Sequence, residues 1–420
     1  MADPARCARW AALAWCAVIL CSVPMARALQ GLVVGTVGRD AYLVVVFLAL
    51  ALALGLSIRH SWRVVGPELG RRLPWLVVPG LVAAGWTWQL RHAPEEALHF
   101  VEYGVLGLLL FRALRFSIPD RALFPAVILL GALFGVLDEL VQWLVPGRFW
   151  DLRDVSVDTM AVVLGLVALG GALRPPELSR RSSPRSVRRL CGLAAGLVLV
   201  SGLSLSNTPP RIQALARLVP ALGYLEDYGS VMTEYGYLHP VPGVGRLYSR
   251  LDWPELRVQD RQRSVEVARI LDGYPTSPDY RAFLWDYPPF GDSFVHELRV
   301  HLFRRDRYLD QLGEPGLPLA ERQRLARTAW AEEHLLQACC AATIAASSYV
   351  LPADVWEPHE ELLEGQGEYT SKVSRHLIVR FRQRQAWAVV GLLLAMLAGV
   401  AFAAGRRGSA TGERAGPPDR

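Results

Sequence analysis

Three short groups of polar side chains interrupt apolar stretches in the first half of the chain. His99, Glu102 and Tyr103 are spaced i, i+3, i+4, which puts all three on one face of a helix. Asp138, Glu139 and Gln142 follow, with Gln142 one turn from both acids, just ahead of Pro146, Gly147 and Arg148. Asp154 and Asp158 form the third group, again at i, i+4. Ionisable groups inside membrane-length apolar runs cost free energy and mark functional sites. An acid–base pair such as Glu139 with His99 moves protons, and the planar fork of Arg148 suits a phosphate. A surplus of carboxylates repels a phosphate unless acids are protonated or a cation intervenes, and it suits a cationic or hydroxyl-rich ligand equally well. Structural roles compete at each position. Glu102, Asp138 or Glu139 could pair with Arg148 inside the bundle, His99 could be a satisfied hydrogen-bond partner, and Asp154 could cap its helix. The size of the set favours ligand recognition by all nine residues. His99 with carboxylates could hold a metal, but no Cys/His ligand spacing supports zinc, so neither a metal nor a cofactor is expected.

The elements that must position these residues are membrane helices. Of the 420 residues, 52% are hydrophobic, high for a soluble chain of this size. The formal charge of +6 comes almost wholly from Arg in short loops between apolar runs, a pattern of topology signals rather than of a nucleic-acid surface. Arg used in place of Lys, with abundant Ala, Leu and Gly, suggests a GC-rich bacterium. Eight runs approach the roughly 20 residues a span requires, near 10–26, 41–58, 73–90, 97–114, 122–144, 155–173, 190–206 and 386–405. Arginines crowd alternate loops: 59–72, 112–121, 174–189 and 406–407. The positive-inside rule then places both termini in the cytoplasm, residues 207–385 outside, and all three polar groups at the outer end of the bundle. Arg380, Arg382 and Arg384 are a local exception, tolerated because long exported segments escape the rule. Ala26-Arg27-Ala28 resembles a signal cleavage site, but the arginine in it favours an uncleaved first helix.

The run from His99 to Gly107 and the run from Asp138 to Val155 resemble the VanZ-like family of bacterial membrane proteins. The shared pattern is a histidine and Glu-Tyr at a helix start, an acid three residues before a Gln that precedes Pro-Gly-Arg, and an Asp opening the last helix. The resemblance covers residues 72–173 and implies a four-helix membrane unit of the envelope, in a family whose founding member is linked to teicoplanin resistance. Asp158-Thr159 stands where the family has Asn-Thr, a change that adds a charge.

The expected architecture is therefore an all-α, polytopic membrane bundle with a mainly helical extracytoplasmic domain. Membrane helices occupy 1–71, the VanZ-like unit 72–173, an Arg/Ser/Pro-rich flexible cytoplasmic linker 174–189, a span 190–206, the exported domain 207–385, the last span 386–405, and a disordered tail 406–420. Expected partners are membrane lipids or lipid-linked cell-wall precursors, with an envelope protein contacting 207–385, and no nucleic acid. The leading functional reading is recognition of such a component; the alternative is an enzyme acting on a lipid headgroup. Transport is disfavoured because the carboxylates sit at one end.

In 207–385, Phe294, Leu298 and Leu302 and then Leu325, Ala329 and Leu336 recur at helical spacing. His296 and His301 are five residues apart, which is wrong for a zincin face, so a metalloprotease is rejected and Glu297 is expected to pair with His301. Glu332, Glu333 and His334, and the arginines Arg304, Arg305 and Arg307, read as solvated faces. A helix is expected from Tyr369 to Gln385, running into the last span. Cys339 and Cys340 read as two small helix residues rather than a bridge.

Overall fold

A computed structural model describes residues 3–146, 148, 150–227, 231–352, 354–363 and 368–412. It divides into two compact units, Met1–Leu205 with Ala386–Arg420, and Ser206–Gln385.

The first unit is an all-α bundle of α1 (Pro4–Ser22), α2 (Ala26–Thr36), α3 (Ala41–Val65), α4 (Pro74–Gln89), α5 (Leu98–Leu114), α6 (Leu123–Trp143), α7 (Leu152–Leu173) and α8 (Pro184–Ser204), closed by a C-terminal helix, Gln383–Gly412. Seven helical stretches are long and apolar enough to cross a membrane among the described residues, α1 and α2 together forming one of them. The run predicted near 73–90 is α4, only 16 residues long. At about 1.5 Å per residue it measures about 24 Å, short of the usual hydrocarbon thickness. It still joins the two ends of the bundle. Before it, Arg72 Nη1 donates to Ala172 O at the end of α7, 3.2 Å away. After it, Glu95 binds Arg39 at 2.6 Å and Glu96 pairs with Arg153 at the start of α7. α4 is thus an eighth crossing of the unit, antiparallel to α7.

The arginine-rich connections gather at the Arg72 end. Arg115 pairs with Glu177 at 2.9 Å, and Asp120 accepts from Ser183 N at 3.0 Å and Ser186 Oγ at 2.8 Å. Segment 174–189, expected as a flexible linker, is instead tied down by these bonds and contains a 3₁₀ turn, Pro176–Ser179. The core packs Tyr103, Leu106 and Phe111 of α5 with Ala126 and Val127 of α6 and Val157, Val162 and Leu166 of α7. Large apolar side chains point outward: Leu48 and Leu52 on α3 and Leu392, Met396 and Phe402 on the C-terminal helix are each at least 60% exposed. Such a belt is stable only in lipid, where the helices satisfy their own backbone groups. The C-terminal helix, Gln383–Gly412, reaches into the expected tail of 406–420; residues 413–420 lie outside the described residues.

The second unit centres on α10 (Trp253–Asp272), α12 (Ser293–Leu312) and the long α13 (Leu319–Ala346), with α9 (Pro209–Leu218) and α11 (Ser277–Asp286) at shorter length. Phe294, Leu298 and Leu302 meet Leu336, Cys339 and Ile344 in its core. Asp252 opens α10 with a reciprocal capping box to Glu255. Cys340 leaves helical geometry at φ −142° and kinks α13; it and Cys339 are free, buried thiols. A small sheet accompanies the helices: β1 (Tyr237–Val241) pairs antiparallel with β2 (Gly245–Ser249), which pairs parallel with β3 (Tyr369–Thr370). Gly245 has φ +151°, and a Cβ there would lie 1.9 Å from Tyr369 O, so only glycine lets β3 approach. The helix expected from Tyr369 to Gln385 does not form. The segment begins as β3 and stays irregular until Gln383, because its backbone groups bond across to the sheet region, as with Ile378 N to Glu234 O at 2.9 Å.

Candidate functional site

The three polar groups meet at the end of the bundle opposite the arginine-rich connections. His99 lies in the first turn of α5 and Tyr103 one turn deeper, their rings stacked with centroids 6.1 Å apart. Asp138, Glu139 and Gln142 line the last turns of α6, all buried. Asp151 caps α7 by accepting from Arg153 N at 2.7 Å, so the cap expected of Asp154 belongs to Asp151. Asp154 sits half-buried in the first turn, where the helix dipole favours an acid. Asp158, about a turn further in, is fully buried.

Glycines let these helices approach closely. A Cβ on Gly107 of α5 would stand 3.3 Å from the Val162 backbone, and one on Gly131 of α6 would meet Val162 Cγ2 at 2.9 Å. One turn along α6, a Cβ on Gly135 would meet Asp158 Oδ2 at 3.0 Å. Gly131 and Gly135 form a small-xxx-small face on which α7 rests. That face fixes how far Asp158 reaches toward α5 and α6.

Two hydrogen-bond systems result. His99 Nδ1 is 2.7 Å from Asp158 Oδ1, joining α5 to α7. Asp138 Oδ2 accepts from Tyr103 OH and from Gln142 Nε2, each at 3.3 Å, joining α5 to α6. Gln142 Nε2 also donates to Glu139 Oε1 at 2.8 Å, and the other Glu139 oxygen accepts from Asp151 N at 2.8 Å. Gln142 Oε1 in turn accepts from Arg148. The expected direct pairing of Arg148 with Glu102, Asp138 or Glu139 is not found among the described residues; Gln142 stands between Arg148 and the acids. Gly147, beside Arg148 in the motif, lies outside the described residues. Glu102 is half-buried, and its carbonyl accepts from Trp15 Nε1 of α1 at 2.9 Å.

The two deepest carboxylates share a feature. Asp138 Oδ1 and Asp158 Oδ2 are buried with no hydrogen-bond partner, although the other oxygen of each is held. His99, Asp138 and Asp158 each present a ligand-type atom within 4.8 Å of the other two. Sequence reasoning missed Trp15, Asp151 and Gly135. Asp151 had a signal, an Asp just before an apolar helical run, whereas the other two act only through contacts between helices.

Charged groups of the second unit behave differently. Glu297 and His301 do not pair with each other. Glu297 accepts from Ser249 Oγ at 2.6 Å, Arg250 Nη1 at 3.0 Å and Ser374 Oγ at 3.0 Å. His301 Nδ1 is 2.5 Å from Glu332, which also accepts from Arg304 at 3.0 Å, Tyr369 OH at 2.6 Å and Ser371 Oγ at 2.9 Å. Arg305, 1% exposed, pairs with Glu333 at 2.6 Å. Glu332, Glu333 and Arg305 are thus core residues rather than the solvated faces expected of their charge runs. Burial pushes the Glu332 carboxyl up, but His301, Tyr369 and Arg304 outweigh it and hold it at about 2. Among the described residues, no buried carboxylate oxygen of this unit lacks a partner. That is the signature of a structural network.

Residues 12–171 match the model of the VanZ/LLP1 family. The match begins well before residue 72, the start of the segment that carries the resemblance in the sequence. No curated protein and no solved structure matches the chain.

Proposed function

We propose that this chain, a multi-pass membrane protein with a VanZ-like domain over residues 12–171, recognises a lipid-linked or cell-wall component of a bacterial envelope. In this reading the ligand meets the polar end of α5, α6 and α7, and residues 206–385 lie outside the inner membrane, in contact with envelope material or a partner protein. One observation supports it above the rest. Asp138 and Asp158 are buried at high cost close to His99, and each keeps one oxygen without a hydrogen-bond partner. Arg148 at the rim, just after α6, and Glu139 on its last turns offer a phosphate contact and a hydroxyl acceptor.

A second reading, an enzyme acting on a lipid headgroup, gains support from the His99–Asp158 contact, since a carboxylate that orients an imidazole readies it for proton transfer. Complementation of a deletion strain tests recognition and separates the two. Glu139→Gln keeps shape and removes charge, so normal protein abundance with lost function is expected, while profiles of lipids and wall precursors stay unchanged in the binding case. A changed lipid species in the deletion strain favours the enzyme. Full complementation by Glu139→Gln at normal abundance removes the site from both readings.

A further inference from the structure

We propose that His99, Asp138 and Asp158 form a divalent-metal site where α5, α6 and α7 converge, taking a cation of the Mn²⁺ or Zn²⁺ class. Three observations converge on it. The first is proximity: one ligand atom from each residue lies within 4.8 Å of the others. Three ligands each about 2.1 Å from one ion and evenly spread around it lie at most about 3.6 Å from one another, so binding would draw the three atoms together by up to about 1.2 Å. The second is the pair of unsatisfied oxygens. Asp138 is 2% exposed and Asp158 fully buried, and Asp138 Oδ1 and Asp158 Oδ2 find no donor although both are screened from water. The third is support from behind. Tyr103 and Gln142, neither of them in the ligand set, hold the other Asp138 oxygen. Metal ligands are oriented by such outer partners.

The charges agree. Glu102, Asp138, Glu139, Asp154 and Asp158 crowd one helix-bundle end with Arg148 at its rim, and a dication offsets that excess. A mixed imidazole–carboxylate set suits Mn²⁺ or Zn²⁺ better than Mg²⁺ or Ca²⁺, which prefer oxygen alone. Three protein ligands leave positions open. With Arg148 nearby, those positions suit the phosphate of a lipid headgroup, which the bare carboxylates would repel. This last step rests on the recognition proposed above; the metal site itself does not.

The test uses the full-length protein in detergent or nanodiscs, stripped with chelator, reloaded with Mn²⁺ or Zn²⁺ and desalted. One metal per chain is expected, with a raised melting midpoint. Mn²⁺ should show nitrogen coupling in pulsed paramagnetic resonance, and that coupling should vanish in His99→Gln. Asp138→Asn and Asp158→Asn should each weaken binding at least tenfold. Wild-type protein that retains no metal overturns the proposal whatever the variants do. Asp158→Asn binding as tightly as wild type overturns it as well. Failure of recognition reads out separately: Glu139→Gln would then complement fully while metal stoichiometry stays at one.

Discussion

Gln142 is the residue on which the polar end turns. Its amide nitrogen serves Asp138 and Glu139, and its oxygen receives Arg148. Gln142→Leu strips all three at once. At about 1–3 kcal/mol for each buried polar group left unsatisfied, a clear fall in melting midpoint and abundance is expected, larger than for Glu139→Gln. Equal stability of the two variants would show that Gln142 does not bridge them. Helical spacing alone placed Gln142 between its two acids. It could not find His99 beside Asp158, because that contact depends on how α5 and α7 are rotated against each other. The second unit misled for a related reason. Glu332 and Glu333 look like a surface run, and their partners His301, Arg304, Arg305 and Ser371 lie 28 to 39 residues away in sequence. Glu332 supplies a pH signature. Its carboxyl ordinarily titrates near 4.5 and is held at about 2 in the fold, so its contribution is complete above the ordinary value and is lost as pH falls through 2. Pepsin cleavage within Ser293–Ala346 of the full-length protein, normalised to an unfolded substrate, is expected to rise between pH 5 and 2. In Glu332→Gln it should already be high at pH 5, and an unchanged profile would remove Glu332 from the core's acid response.

At the level of elements, the glycine face of α6 sets the geometry. Hydropathy located α5, α6 and α7 within a few residues of their actual bounds. It could not show that Gly131 and Gly135 receive α7, since a glycine in an apolar run looks like any other small residue. Gly131→Leu forces a side chain into Val162, which already stands 2.9 Å from the Cβ position. Overpacking of this kind costs about 1–3 kcal/mol, and here it would also draw Asp158 away from His99. A lower melting midpoint is expected, together with weaker metal retention. Gly104→Ala on α5, where nothing lies within 4 Å of the Cβ position, is the control and should leave both unchanged. Loss of midpoint without loss of metal would separate helix packing from the site.

For the whole molecule, everything said of an envelope ligand depends on which way the bundle faces. The chain itself supplies the asymmetry. Arg59, Arg63, Arg71 and Arg72, then Arg112, Arg115 and Arg121, then the six arginines of 174–189 fall in alternate connections. The structure gathers Arg72, Arg115, Arg180 and Arg189 at one end through their bonds to Ala172, Glu177, Pro119 and Ser117. The polar residues occupy the other end. Positive charge near span ends is retained in the cytoplasm, so the arginine end is expected inside and the His99 end outside. A reporter fused after Ser183, which caps α8, should therefore read cytoplasmic. One fused after Gly291, in the turn ahead of α12, should read extracytoplasmic, because α8 crosses between the two positions. The short α4 makes the outcome informative. If α4 failed to cross, the parity of every later helix would invert, and the Ser183 reporter would switch sides while that of a fusion in the 66–72 connection stayed inside. A cytoplasmic Gly291 reporter would turn the carboxylate end toward the cell interior. The ligand would then have to be sought among cytoplasmic headgroups rather than cell-wall precursors.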